Sequence, residues 1–596
     1  MQKRKSVVMC MVLAVAMAFS TCLTACGGRR NRNAVPIDES SLGERMLGKY
    51  EKTLDLSVGQ MISTTEYVEG ETASDNVIYN LLNEVMNVKI NSQFSATIGD
   101  AYNYKLNLAA TSNKLPDMFF CPQSQLSDLI DQDMLCDLTD VYEEYASPAL
   151  RLAMEYSYTG DISVWNNGHP TILKTPQVLE SGSYDGKLYG IPFLADIFDQ
   201  CPLIWLRLDW LKTRADALDI EYEKDTDLLP KNFTEYLKIV DYFTNNDPDG
   251  NGADDTYGFS IGYNAKNLQG IANVYNAYPG FYMQDEDGKY YYGSQHENMM
   301  PVLKQMNQLY RGGKIDKNSA LDGAELKKAL AAGKIGTFVG EYWSVMSYGL
   351  SDAYLADFDV DWIPWAIRDK SGNIIKPCVH YNISNDAFYC VSSDCPNPEV
   401  IILMANHIVD RYFFDDGEYT QKFSELLLSE KYASVASEIE MYAPFRLDAP
   451  NKNIRYAYDI QDALKKGNDA SLTLSEKPFY QFIKNYLDDR QGKGKKYYPY
   501  YKIFCEGGAY TELTNYAQYD WAVDKNDLKV NFMRPAFYGI STPQMIEYGG
   551  IVADYEAQEL NNMFTGSVSK SVFEKFVKTM NSKGMTKIIE GLNEGL

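Results

Sequence analysis

Short apolar runs that break at a turn and hand over to helical periodicity recur along this chain. That alternation limits its fold more than any other feature. In LPDMFFCPQSQLSDLIDQDMLCDLTD, residues 115–140, an apolar strand at Met118–Phe120 stops at Cys121-Pro122, and Leu126, Leu129 and Ile130 then share a helical face. YDGKLYGIPF, 184–193, turns at Asp185-Gly186 into another apolar strand. LIWLRLDWLKTRADALDI, 203–220, runs from a strand into a helix near Asp209, with Trp205 inside the strand and therefore in the core. In PKNFTEYLKIVDYF, 230–243, Asn232 caps a helix, Glu235 completes a capping box, and Phe233, Leu237 and Val240 share a face. Strands alternating with helices predict an α/β protein with mainly parallel sheets. At 596 residues the chain exceeds what a single core supports, so at least two lobes are expected.

The N-terminus sets location. Lys3, Arg4 and Lys5 precede an apolar stretch from Val7 to Phe19, the pattern of a secretory signal. The stretch is shorter than the roughly 20 residues a membrane span needs. Leu23-Thr24-Ala25-Cys26 then resembles a bacterial lipobox, which implies cleavage after residue 25 and lipid, palmitate included, on Cys26. Several acyl chains on one residue hold a protein durably. Residues 26–48 read as a lipidated tether rich in glycine and charge. A lipid-anchored protein on the outer face of the cell membrane is expected.

Net charge is −25, which repels nucleic acid and anionic headgroups, so neither is expected as a partner. Removing Cys10, Cys22 and the lipidated Cys26 from the 10 cysteines leaves an odd number, against a complete disulfide framework. Cys390 and Cys395 are close enough to pair or to remain buried thiols. There is no CxxC and no HExxH, so zinc and metalloprotease chemistry is not supported.

DPDGNGADD, 247–255, places oxygen side chains at loop positions one, three, five and nine: Asp247, Asp249, Asn251 and Asp255. Gly252 takes position six, and Ala253 offers its carbonyl at position seven. That spacing wraps hard oxygen ligands around calcium. Position twelve is Gly258 where an EF-hand has glutamate, so the loop is expected to be structural, pinning the helix end at Phe243 to a strand at Tyr257–Ile261.

With these segments in view, the chain resembles the extracellular solute-binding lipoproteins of ABC importers, the sugar-binding (family 1) group and its larger oligosaccharide-binding members. LPDMFF with its following helix is similar to the group's first-lobe strand, and YDGKLYGIPF resembles the segment before its first hinge crossing. IWLRLDWLK, LPKNFTEYLKIV and DPDGNGADDTYGFS follow in the group's order. AAGKIGTFVGEYW, 331–343, is similar to the strand and turn that end in a ligand-stacking tryptophan. DAFYCVSSDCPNPEVIILMANHIV, FYGISTPQM and the last segment, SVFEKFVKTMNSKGMTKIIEGLNEGL, complete the pattern. The resemblance implies a two-lobed periplasmic-binding-protein-like fold of the class II type, with ligand in the cleft between lobes. By analogy, lobe 1 is 49–194 with 364–413, and lobe 2 is 195–363 with 414–596. The crossings fall near Pro192–Asp199, near Trp362–Trp365, and after the helix around 400–413.

The function implied is capture of carbohydrate and delivery to the transmembrane subunits of an ABC permease, with no covalent chemistry. Sugars need aromatic platforms for their ring faces and carboxylates or amides for their hydroxyls. The resemblance points to Trp343 as the stacking residue with Glu341 beside it, and to Phe120, Gln123, Asp196, Trp365 and Tyr381 as further ligand contacts. The segment between Pro192 and Asp209 is longer here than in small maltose-type members, at FDQCPLIW, which bears on Asp196. A peptide or another organic nutrient is the alternative ligand. A surface glycosidase is a remote one, because nothing singles out a pair among 81 acidic residues.

Overall fold

The computed structural model describes residues 33–594, apart from 63–66, 98, 156–176, 262–267, 318–322, 358, 380–382, 433–438, 450–451 and 518–531. Nine strands build the two larger sheets: β1 Leu54–Ile62, β2 Val88–Thr97, β3 Met118–Pro122, β4 Gly190–Leu194, β5 Leu203–Arg207, β6 Ser260–Ile261, β7 Thr337–Gly340, β8 Trp362–Ala366 and β9 Ile383–Val391. The first sheet has the order β2-β1-β3-β9-β4 and the second β6-β7-β5-β8. Helices cover the sheets, so their central strands are buried on both faces and read as unbroken apolar runs, as MFFC and LIWL do.

The sequence expectation of mainly parallel pairing holds only for β1 with β2 and β3, and for β6 with β7. β9 runs antiparallel to both β3 and β4, and β5 antiparallel to both β7 and β8. Each reversed strand directly follows a passage from the other sheet. It enters its own sheet from the opposite end, and its direction is set by that entry.

Local signals work as the sequence suggests. Asp185 and Gly186 take φ of 49° and 76°, which closes a tight hairpin between 183–184 and 187–188. Asn232 accepts from the Glu235 amide at 2.9 Å, while the Glu235 carboxylate accepts from Lys231 at 2.8 Å, one residue outside a strict capping box. Phe233, Tyr236, Ile239, Val240 and Phe243 form the buried face of that helix; Leu237 is half-buried.

The passages between sheets lie elsewhere than the resemblance implies. Residues 195–202, the first passage, link β4 of the first sheet to β5 of the second. Trp362–Trp365 pair with β5 inside the second sheet, so the return falls after Ala366 and before β9. The segment after the helix Val400–Asp410 stays with the first sheet: Gln60 donates to Tyr442 O at 3.2 Å and to Ala443 O at 3.3 Å. The third passage leaves the first lobe after Ala443 and runs beside the first passage, where the Asp448 amide donates to Leu194 O at 3.2 Å. The buried hydrogen bonds from β1 hold Tyr442 and Ala443 on the first lobe.

No helix among the described residues is long and apolar enough to cross a membrane. Cys26 lies outside the described residues. Cys390 is a free thiol lying against Cys121, so it forms no bridge to Cys395.

Candidate functional site

β7 ends at Gly340, and the chain turns into a short 3-10 helix, Tyr342–Met346. The turn is pinned from below: the Trp205 indole, fully buried in β5, donates to Glu341 O at 3.0 Å. Glu341, Tyr342 and Trp343 are all half-buried at the end of the second sheet. The Trp343 ring stacks on Tyr348 with centroids 5.7 Å apart and planes at 27°. Tyr348 has φ of 53°, an unfavourable conformation for a bulky residue, and Gly349 follows at 84°. That left-handed pair turns the chain so that the Tyr348 ring lies against Trp343.

The first passage faces this turn. Asp196 is 2% exposed and both its oxygens are used: one accepts from the Phe198 amide at 2.9 Å, the other from the Asn453 amide at 3.1 Å. Asn453 opens the helix Lys452–Lys466, and its side chain donates to the Tyr342 hydroxyl at 2.9 Å. Asp199, half-buried, stands beside these groups. Burial pushes the Asp196 carboxyl up to about 7 against the pull of its two amide donors. Burial and then Asp448 bring Asp199 to about 6, and burial with Asp199 nearby brings Glu341 to about 7.

Beneath the third passage lies a charged network. Lys452 contacts Asp448 at 2.8 Å, Arg411 contacts Glu440 at 3.1 Å, and the Tyr412 hydroxyl donates to Asp448 at 2.7 Å. Burial opposes ionisation of Asp448, yet Lys452 and Arg446 hold it down at about 2. Arg446 itself lies over the Phe193 ring, 5.2 Å from its centroid.

The ligand residues expected from sequence therefore divide. Glu341 and Trp343 adjoin at the end of the second sheet, Glu341 close to Asp199 of the first passage and Trp343 against Tyr348. Asp196 is there too, but as a hydrogen-bonded clasp between the first and third passages. Phe120 is 1% exposed, edge-on to Tyr102 and Tyr389 at 5.6 and 5.8 Å, and belongs to the core of the first sheet. Trp365, 2% exposed, stacks on Tyr236 at 5.6 Å in the core of the second. Both sit on strands covered on two faces, which leaves their rings no open side. Gln123 begins the helix after β3, and its amide donates to Gly539 O. Tyr381 lies outside the described residues. Sequence reading missed Asp199, Tyr342, Tyr348, Asn453 and Tyr510. Asp199 lies in the FDQCPLIW extension, and Tyr342 and Tyr348 flank Trp343. Asn453 and Tyr510 carry no local motif and arrive from far along the chain.

The 247–255 loop is well formed. Asp247, Gly250 and Gly252 take φ of 44°, 65° and 78°. The Gly252 amide donates to Asp247 at 2.9 Å, and the Asn251 side-chain amide donates to Asp249 at 2.9 Å and Asp255 at 3.2 Å. Lys334 holds the other Asp255 oxygen at 2.9 Å. Burial, then the adjoining Asp247, raise the Asp249 carboxyl. Among the described residues no group of three or more His, Cys, Asp or Glu is arranged to hold a metal ion. The donor chemistry, all oxygen and largely carboxylate, suits calcium; in this arrangement the carboxylates meet the Lys334 ammonium and the N–H donors of the Asn251 side chain. The Ala253 amide donates to Asn251 Oδ1 at 2.6 Å, so that residue is held in the loop.

Two lobes on separate sheets, three neighbouring passages and an aromatic and carboxylate cluster at their meeting point define a binding protein of the two-lobed periplasmic type. The family model for bacterial extracellular solute-binding protein matches residues 84–402, and this chain belongs to that family. It is 27% identical over 213 residues to Lipoprotein LipO of Bacillus subtilis, a match spanning 35% of this chain and 40% of LipO's length. Among solved structures, the alginate-binding protein AlgQ2 without calcium ion aligns with TM-score 0.57 at 14% identity, covering 91% of this chain and 97% of that one. The S. pneumoniae ABC-transporter substrate binding protein FusA in complex with kestose aligns with TM-score 0.53 at 16% identity, covering 90% and 97%. An EF-hand mutant of FusA with fructo-nystose aligns with TM-score 0.50 at 15% identity and the same coverage. At these identities the structural likeness concerns the fold.

Proposed function

We propose that this protein captures an oligosaccharide in the cleft between its lobes and delivers it to an ABC permease. The observation that carries this reading is the meeting of Glu341 and Tyr342 with Asp199 beside the passages joining the two sheets, with Trp343 next in the chain and stacked on Tyr348. An aromatic face with adjoining hydroxyl and carboxylate acceptors matches the apolar ring faces and hydroxyl girdle of a sugar. Membership of the solute-binding family and the glycan-bound FusA fold support it. Lobes joined by three passages close over ligand by a hinge. The protein acts by binding, with no bond made or broken.

Calcium is proposed at Asp247, Asp249, Asn251, Ala253 and Asp255, where it would replace the contacts of Lys334 and the Asn251 amide. The AlgQ2 structure without calcium and the FusA EF-hand mutant are consistent with a metal loop in proteins of this fold. Lipid on Cys26 is proposed to anchor the protein at the outer face of the membrane, as the partial similarity to LipO suggests. Mass spectrometry of the mature N-terminus tests the lipid.

A thermal-shift screen against oligosaccharides and peptides tests the function. Ligand that binds only the folded state raises stability by about 2.7 kcal/mol at one hundred times Kd. A shift with a glycan supports the reading. A shift with peptides alone replaces it with peptide capture.

A further inference from the structure

The charge balance of the cleft bears on which sugars it takes. Asp196 spends both oxygens on backbone amides, which leaves Asp199 and Glu341 as acceptors. Glu341 gives one oxygen to Ser344 Oγ at 3.4 Å, and Asp199 accepts no hydrogen bond through its side chain from a described residue. The nearby cations are largely engaged: Lys452 on Asp448, and Arg411 on Glu440. Arg446, above Phe193 on the first-lobe side, and Lys452 both draw on Asp199, Lys452 also draws on Asp196, and among the described residues no cation acts on Glu341. Arg534, behind the first passage, donates to Val379 O and influences Cys201. Among the described residues, Lys452 and Arg446 thus serve the aspartates of the first passage, and none serves Glu341.

A second observation points to an occupant of the same place. Tyr510 is 1% exposed, and its buried hydroxyl forms no hydrogen bond of good geometry. Its ring lies 5.0 Å from Tyr342, and its polar neighbours are Tyr342, Asn453 and Asp196. The Asn453 amide and the Tyr342 hydroxyl are within its reach but not aligned with it, and a ligand hydroxyl would offer a better-placed partner. Tyr342 lies near Asp199 and Tyr348 near Glu341, and aromatic faces attract positive charge.

Building on the carbohydrate reading, we infer that the cleft takes a glycan without negative charge: hydroxyls, or the ammonium of an amino sugar, donate to Glu341 and Asp199, and uronates are turned away. A uronate carboxylate entering here would lie against Glu341, which no described cation offsets, and beside Asp199, whose cations are shared with Asp448, and like charges brought together at an interface oppose binding strongly.

The test is calorimetric titration of the protein with matched sets of oligosaccharides across several linkages, each set containing a neutral, an amine-bearing and a uronate form. The expected result is binding of neutral or amine-bearing members, with the uronate member of the same set roughly tenfold weaker or worse. Glu341→Gln and Asp199→Asn should each narrow that gap, with thermal unfolding confirming that the variants fold. Uronates bound as tightly as their neutral counterparts would overturn the inference and leave carbohydrate capture standing. Binding of no glycan of any charge would overturn both together. If one variant fails to fold, the other decides, and the wild-type ranking decides in either case.

Discussion

Asp196, on the first passage, accepts a hydrogen bond at 3.1 Å from the backbone amide of Asn453, where the helix after the third passage begins. The second oxygen of Asp196 holds the Phe198 amide on its own passage. One buried carboxylate thereby joins two of the strands of chain about which the lobes would hinge.

Asp196→Ala leaves two buried amides unsatisfied, each costing about 1–3 kcal/mol. Thermal unfolding should show a large drop in midpoint. Asp196→Asn, which keeps one acceptor oxygen, should fall between Ala and wild type. Equal midpoints for Ala and wild type would show that the clasp contributes nothing.

Trp343 and Phe120 provide a contrast. Trp343→Ala should leave the fold stable and weaken glycan binding by roughly 2 kcal/mol or more, as truncation of a central aromatic anchor does. Phe120→Ala should cost about 3–5 kcal/mol of stability through the cavity it leaves. Paired calorimetry and denaturant unfolding separate the two effects.

Glu341 gives a pH signature. Its folded-state carboxyl sits at about 7, above its unfolded value, because of burial and Asp199. The native state therefore holds the proton more tightly. The stability this contributes is fully present below the unfolded value and is lost as pH rises through about 7. Glu341→Gln should remove that loss, so its unfolding midpoint gains on wild type as pH goes from 5 to 8. A constant offset across that range would contradict the shift.

Chelation should lower the unfolding midpoint of calcium-loaded protein, and Asp249→Asn should remove the difference between calcium and chelator. Asp249 is the loop carboxyl raised by burial and by Asp247, and a cation would relieve that repulsion. Identical melting curves with calcium and with chelator would count against the metal.

Much of the fold was legible because its signals are local. The strand at Met118–Pro122, the helix from Gln123, the hairpin at Asp185-Gly186 and the Asn232 cap each depend on a few adjacent residues. The positions of the passages were not, because pairing decides them: Trp362–Ala366 stays in the second sheet through its register with β5, a partner far away in sequence. Phe120 and Trp365 illustrate the same limit. An aromatic residue near a strand end looks alike whether it faces a cleft or a covering helix, and here both rings are covered. Glu341 and Trp343 could be singled out from their place after β7, while Asn453 and Tyr510 reach the same place only through tertiary packing.

The slot that β9 fills between β3 and β4 has a consequence for how the molecule is made. As the chain emerges from its N-terminus, the strands on either side of that slot appear early, but the strand that joins them comes only after residues 195–382 have been built. Until then the first sheet is two unjoined pieces with open edges, and the second lobe is a detour that must be completed before the first can close. Pairings so distant in sequence are slow to form. The lobe that begins the chain is therefore expected to be among the last parts to become whole, and unpaired strand edges persist in the meantime as sites of mispairing.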